Sequence, residues 1–349
     1  MDSDSIRIGV IGAGGNTRYR HIPGLQAIDG VEIISVCNRS MASGEKVARE
    51  FAIPQVCSHW SQVVEDPDLD AVVIGTWPYM HCPITVAALQ AGKHVMVEAR
   101  MAMNAAEAHD MLETSRAYPE LVAQVVPSPF TLAFDKTICR LVQEQAIGDI
   151  YGVDIHGYQA GFADLDGPCS WRLDQDLSGL NIMGMGIWYE AMARWVGHAN
   201  RVLARGKVCV RQRPKADGSG MAAIRVPDHL DIVADLDCGA QAHLRFSTVM
   251  GHAGQPWGAW LYGSKGTIWL DQKNSKLYLG QRDGELEEVS IPEADRGDWR
   301  VEAEFIGAIR GEEEIRLTSF MEGVKYMEFT EAVTRSMQSN KAVALPLLF

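Results

Sequence analysis

No uninterrupted apolar run in this 349-residue chain approaches the roughly 20 residues that a membrane helix needs. The opening MDSDSIRIGV has no basic leader and passes straight into a strand pattern, so a cytoplasmic protein without a membrane partner is expected. Excess positive charge is absent too. Lys and Arg number 32 against 45 Asp and Glu, and a net charge of −13 argues against nucleic acid as a partner. The seven cysteines are odd in number and at least 20 residues apart, with no C-x-x-C pair, so no metal site is expected. Low-complexity tracts and fixed repeats are also missing, while 47% hydrophobic and 22% charged residues suit a globular protein of about two domains.

What is present begins with short Val/Ile runs at 6–11, 31–37, 71–76, 94–98 and 121–126, alternating with helical spacing over 39–51, 82–91 and 104–117. Parallel strands buried on both faces need such runs, which predicts a doubly wound α/β domain over 1–149. From Tyr151 the period falls to two. Tyr151, Val153 and Ile155 share one face of the strand at 151–158, while Asp154, His156 and Tyr158 share the other. Further strand patterns at 201–211, 229–237, 240–249, 257–262 and 266–271 predict an α+β domain over 150–349, built on an open antiparallel sheet. Helices are expected at about 180–196, 299–310 and 319–338, the last packing back on the fold. Few helices remain to cover both faces of that sheet. The uncovered face predicts a homodimer or homotetramer.

Gly12-Ala13-Gly14 follows the first strand directly, where a dinucleotide fold makes its first turn. Gly12 permits the tight turn and Gly14 lets backbone amides approach a pyrophosphate at a helix N-terminus, with Gly15 and Asn16 continuing the turn. Thr17 stands at the third glycine position, small enough for close packing and with a hydroxyl that can meet phosphate. The second strand ends in Asn38, Arg39 and Ser40 without the acidic residue that pairs with a free ribose 2′-hydroxyl. That change favours NADP, with Arg39 and Ser40 on a 2′-phosphate; NAD remains the other reading.

Beyond this turn the chain resembles the Gfo/Idh/MocA family, the relatives of glucose-fructose oxidoreductase and inositol dehydrogenase. The resemblance is carried by Asp70-Ala71-Val72-Val73-Ile74 leading to Thr76 and His81, by Ala91-Gly92-Lys93-His94-Val95 leading to Glu98, and by Trp171-Arg172 before the 179–186 segment. Thr318-Ser319-Phe320 and Tyr326-Met327-Glu328 resemble its closing stretch. It implies a nicotinamide oxidoreductase for a sugar-like or cyclic alcohol or ketone, and places Thr76, Trp77, His81 and Glu98 on the cofactor side, His81 as scaffolding.

Against that family pattern, three proton-handling positions are altered. Its Glu-Lys-Pro is here Glu98-Ala99-Arg100, and the absent proline argues against a cis peptide. Its helical aspartate and histidine map onto Gly184 and Trp188. None of Ala99, Gly184 and Trp188 exchanges a proton near neutral pH. Replacement candidates are His156, Tyr158 and Arg100 for catalysis, with Trp171, Arg172, Asn181, Trp188 and Tyr189 around the small-molecule substrate. Two other readings stand beside a plain dehydrogenase. One is a lyase, hydrolase or epimerase that uses transient oxidation; the other is a non-catalytic nucleotide-binding protein.

Overall fold

A computed structural model describes residues 5–159, 161–254 and 257–348. They form two compact units, Met1–Pro127 with Arg300–Val324, and Ser128–Trp299 with Lys325–Phe349.

The first unit holds six parallel strands, β1 (Ile6–Ile11), β2 (Val31–Cys37), β3 (Gln55–Cys57), β4 (Ala71–Ile74), β5 (His94–Val97) and β6 (Ala123–Val125), in the order β3-β2-β1-β4-β5-β6. That order reverses direction between β1 and β4, the switch point where doubly wound sheets bind ligands. Ile8, Val10, Val72, Val73, Ile74, Val95 and Met96 are essentially inaccessible, as strands covered on both faces require. Local caps fix the helices between them. Ser40 Oγ accepts from Ser43 N at the start of the helix Met41–Phe51, and Asn104 Oδ1 accepts from Glu107 N at the start of Ala105–Ala117. The open edge of β6 is closed by a segment from far down the chain. Val125 and Thr318 exchange backbone hydrogen bonds of 3.0 Å, and Gln124 donates to the Leu317 carbonyl.

In the second unit a nine-stranded sheet runs β16-β15-β14-β13-β7-β12-β11-β8-β17. These strands are β7 (Ile150–Tyr158), β8 (Ala199–Lys207), β11 (His229–Leu236), β12 (Gln241–Ser247), β13 (Trp257–Gly263), β14 (Gly266–Asp271), β15 (Lys276–Gln281), β16 (Glu287–Glu288) and β17 (Val343–Ala344), with β9 (Gln212–Pro214) and β10 (Met221–Ala223) as a separate pair. The sheet is mixed rather than wholly antiparallel, because β7 pairs parallel with β12 and antiparallel with β13. Tyr151, expected on the inner face, lies at the strand start and is 66% exposed.

The division at Pro127/Ser128, upstream of the expected Asp149, has a polar cause. Within the second unit, the helix Leu132–Gln143 is tied to the helix Met185–Val196 by Trp195 Nε1 donating to Asp135 (2.7 Å) and by Arg194 pairing with Asp135 (3.0 Å). The last helix, Phe320–Ser339, begins in the first unit and continues in the second, where the Phe329 ring stacks on Tyr189 and Ser336 Oγ accepts from Ala204 N. Among the described residues no helix is long and apolar enough to cross a membrane.

Candidate active site

The glycine turn has one obligatory glycine and one open one. Gly12 has φ +87°, and a Cβ there would lie 2.5 Å from the Thr76 amide nitrogen, so no other residue fits. A Cβ at Gly14 would meet only the Gly75 carbonyl oxygen at 3.7 Å, an ordinary contact, and Gly15 faces open space. Gly14 borders a cleft of about 240 Å³ with Gly12, Ala13, Asn38, Arg39, Ser40, Ser43, Gly75, Thr76, Trp77 and Tyr79. A helix begins at Gly15 and runs to Gln26, with a wide π turn over Thr17–His21 and no acidic residue in its first turn. Backbone amides at a helix start and a cradle that any Cβ on Gly14 would fill are what a dinucleotide pyrophosphate requires. These residues fit the cofactor.

Individual roles differ from expectation. Thr17 is buried and its hydroxyl donates to the Gly12 carbonyl (3.3 Å), so it holds the turn instead of reaching toward phosphate. Asn38 accepts from Ala13 N (2.7 Å) and donates to Ser43 Oγ (2.9 Å), fastening β2 to the glycine turn. Arg39 lies over the Trp77 ring at 5.0 Å and is exposed, with its cationic head at the cleft edge. Ser43 and Tyr79 also line the cleft and escaped the sequence analysis; only their proximity to Ser40 and Trp77 hinted at them.

Below the glycine turn lies a buried charge array that spacing alone did not reveal. His21, fully inaccessible, donates from Nδ1 to Glu302 Oε1 (2.5 Å) and from Nε2 to Glu98 Oε1 (3.0 Å). Burial works against the charged ring, but the bonds and charges of Glu302 and Glu98 outweigh it and push the His21 pKa up to about 9. Burial likewise opposes the Glu98 carboxylate, yet His21 and Asn16 hold its pKa below the ordinary range. Asn16 donates to Glu98 Oε1 (2.5 Å) and the Ala99 amide donates to Oε2 (3.1 Å). Glu98 therefore joins the first helix to the end of β5 and does not line the cleft.

His81 is scaffolding in the same sense. Its ring nitrogens each lie 2.9 Å from a carbonyl oxygen, those of Arg100 and Thr76, and burial pulls its pKa down against those backbone bonds. The backbone of Arg100, a residue 6% exposed, is thereby linked through His81 to the backbone of cleft-lining Thr76. The Ala99–Arg100 peptide is cis, against the expectation from the missing proline.

In the second unit the expected catalytic pair is displaced. The ring centroids of His156 and Tyr158 are 5.1 Å apart, and His156 also meets Trp260 at 4.9 Å. Their neighbours are Arg245, ion-paired with Asp231, and His243, 3.9 Å from Asp154. Burial raises the Tyr158 pKa, and Arg245 opposes this. All of these lie on one face of the sheet. Trp188 lies on the other, where a Cβ at Gly157 would be 3.6 Å from its Cδ1. His156 and Tyr158 therefore do not converge with Gly184 and Trp188, because strand alternation turns them to opposite faces.

Two expected substrate contacts are core residues. Tyr189 is buried, its hydroxyl accepting from Ala199 N (2.9 Å) and its ring stacked 3.7 Å from Phe329. Asn181 is buried and donates to the Ser178 carbonyl (2.7 Å), fixing the bend before the helix Met185–Val196. Arg172 lies over Trp171 at 4.3 Å on an accessible single turn. Trp188 is fully buried and meets Phe130 and Trp257, each at 5.9 Å.

Comparison with known proteins agrees with this geometry. A family model described as an oxidoreductase family with an NAD-binding Rossmann fold matches residues 6–124, and the GFO/IDH/MocA C-terminal domain matches 136–269. An uncharacterized oxidoreductase of Synechocystis sp. is 23% identical over 79% of this chain and 74% of its own length. Levoglucosan dehydrogenase of Pseudarthrobacter phenanthrenivorans is 27% identical over 62% of this chain, and the matched part spans just over half of that enzyme, 56%. A solved levoglucosan dehydrogenase in complex with NADH and L-sorbose superposes with TM-score 0.84 at 20% identity over 98% of this chain and 99% of that one, which shows the shared fold. With both domains matched in order, this chain belongs to the Gfo/Idh/MocA family of oxidoreductases, and its first domain is an NAD-binding Rossmann domain.

Proposed function

We propose that the protein is an NAD(P)-dependent oxidoreductase acting on a small sugar-like or cyclic alcohol or ketone, with Arg100 as a fixed cation for the substrate oxygen and no side chain in the proton-transfer role of the family's usual lysine. The observation that carries this reading is the cleft at the β1/β4 switch point, bordered by Gly14 with no side chain in the way. Bound there, the nicotinamide cofactor supplies or accepts the hydride. Glycine-turn amides hold the pyrophosphate, and Arg39 beside Trp77 takes the adenosine end, including a 2′-phosphate when NADP binds. Arg100 remains protonated, so it polarises a substrate oxygen and stabilises negative charge developing on it, but it does not take a proton from an alcohol. That favours carbonyl reduction, with the completing proton drawn from solvent. Trp171 and Arg172 supply an accessible cation and ring for an anionic or planar group on the substrate.

Association of copies belongs to the same reading. The sheet face carrying His156 also carries Trp260, Trp269 and Tyr278 in a cross-strand ladder, with successive centroids 6.0 and 4.6 Å apart. A face so rich in rings suits burial against a second copy. The test is absorbance at 340 nm with NADH or NADPH over a panel of cyclic ketones and sugars, run on material whose mass is known from light scattering. Net oxidation of cofactor supports the proposal; conversion of a ligand without net cofactor change points to transient oxidation, and nucleotide affinity with no conversion points to a binding protein. A monomer at micromolar concentration overturns the association.

A further inference from the structure

Three rings gather on the helix-covered face of the second unit's sheet. Phe130 and Trp257 meet edge to face, with centroids 5.2 Å apart and planes at 89°, and both contact Trp188. Trp188 is fully buried, whereas Phe130 and Trp257 are half-exposed. The buried indole thus forms a floor, and the outer two rings form the surface above it. Two glycines border this floor, Gly157 making room for the neighbouring Phe246 ring and Gly184 lying against Trp188 at ordinary contact distance. A Cβ at Gly157 would strike the Phe246 ring at 2.5 Å, and one at Gly184 would touch Trp188 Cδ1 at 3.6 Å.

The chemistry of this surface is one-sided. Trp188 Nε1 is buried and has no hydrogen-bond partner among the described residues. Phe130 offers no hydrogen-bonding side-chain group, and an indole offers one donor and no acceptor. A polyol laid on such a surface loses water from several hydroxyls and regains few partners, a penalty for each group left unpaired. A flat ring loses little and gains contact with two aromatic side chains.

We propose that the substrate is a ring compound with a planar, apolar face, seated on the surface that Phe130 and Trp257 form over Trp188. This rests on the reading that the Gly184–Trp188 turn lines the substrate site, as the family's aspartate and histidine do. The reacting oxygen is carried at the rim of that ring, because the aromatic surface itself offers it no proton acceptor.

The experiment titrates the protein–NADH complex with catechol and, separately, with myo-inositol, by calorimetry and by tryptophan fluorescence. Catechol is expected to bind at least tenfold more tightly. Phe130→Leu and Trp257→Leu, at half-exposed positions that keep the core closed, are each expected to weaken catechol about three- to tenfold, the range of one aromatic contact, with NADH affinity unmoved. Equal or tighter binding of myo-inositol, or catechol affinity unmoved by both substitutions, overturns the planar-ring proposal and leaves the oxidoreductase reading intact. No response to either ligand with NADH bound overturns the underlying reading that this turn lines a substrate site, and the proposal with it.

Discussion

The two units solve the problem of an interior next to a binding surface by opposite means. In the first, backbone and charge do the shaping: Gly12 permits a turn no other residue fits, Gly14 leaves a gap, and a buried imidazolium is clamped by Glu98 and Glu302 beneath. In the second, rings do it: Trp188, Phe130 and Trp257 gather on the helix-covered face of the sheet. Nucleotide binding needs fixed backbone amides and tolerates little change, so the first unit keeps its glycine signature. Substrate binding follows the shape of one ligand. Under the proposed function a ring-lined surface serves that ligand, and another group meets the charge of the reaction.

The largest effect that tests this contrast lies in the clamp. His21→Ala leaves two buried carboxylates without their shared donor, and breaking a buried pair in this way costs about 3–5 kcal/mol. Urea unfolding followed by circular dichroism should show it. In the native protein the His21 pKa of about 9 exceeds its unfolded value of 6.5, so the stabilisation is complete below pH 6.5 and is lost as pH rises through 9. The urea midpoint of the unaltered protein should therefore fall between pH 6.5 and 9, and over about pH 6.5–8, below the range in which unfolded thiols ionise, this slope should flatten in His21→Ala. A slope in His21→Ala equal to that of the unaltered protein over that narrower range would show that the ring is not charged at neutral pH.

Next in size is the glycine pair, which separates folding from binding within a few residues. The Cβ of Gly14→Val meets only the Gly75 oxygen, at an ordinary distance, so the fold should survive while the added side chain fills the pyrophosphate cradle, raising the NADH Kd at least about 100-fold. Gly12→Ala should lower stability itself, since it combines φ +87° with a 2.5 Å approach to backbone. Calorimetric titration beside a melting curve tells them apart. Normal NADH affinity in Gly14→Val would remove that glycine from its assigned role.

A smaller effect is expected at the other end of the cleft. Arg39 is exposed and rests on the Trp77 ring, so Arg39→Asp should barely move stability. It should weaken NADPH about tenfold or more and NADH less than threefold, because a carboxylate repels the 2′-phosphate and accepts from a free 2′-hydroxyl. Equal losses for both nucleotides would mean that Arg39 serves the adenine rather than the phosphate.

These features were unevenly legible. Parallel strands declared themselves through Val/Ile runs, and β3 did not, because Gln55-Val56-Cys57 is short and half-exposed. The glycine turn was plain from spacing. The His21 clamp was not, since Glu302 lies 281 residues further on and no local pattern joins them. The period of β7 correctly grouped Asp154, His156 and Tyr158, but grouping residues on a face does not say what that face looks at. Gly157 held part of the clue: a residue without a side chain on the Val153–Ile155 side admits the Phe246 ring there, with Trp188 alongside at ordinary contact distance. Burial of Tyr189 and Asn181 likewise depended on partners, Phe329 and Ser178, that helical spacing alone does not supply.

The smallest effect is expected where the sequence first directed attention. His156 sits on the open face between Tyr158 and Trp260, with Asp154, Arg245 and Asp231 as its charged surroundings, while Trp188 occupies the opposite face. A group that carries the proton in a hydride step loses about 10²–10⁴-fold in turnover when removed. A sheet stands between this ring and the aromatic surface, so single-turnover hydride transfer in His156→Ala should stay within about threefold of the unaltered protein. The change should appear instead in assembly, as a lower average mass in light scattering at the same concentration, because the imidazole belongs to the ring-rich face proposed to join copies. A hundredfold loss of hydride transfer at unchanged mass would reverse this assignment. It would make the open face a catalytic surface and leave Arg100 without its proposed role.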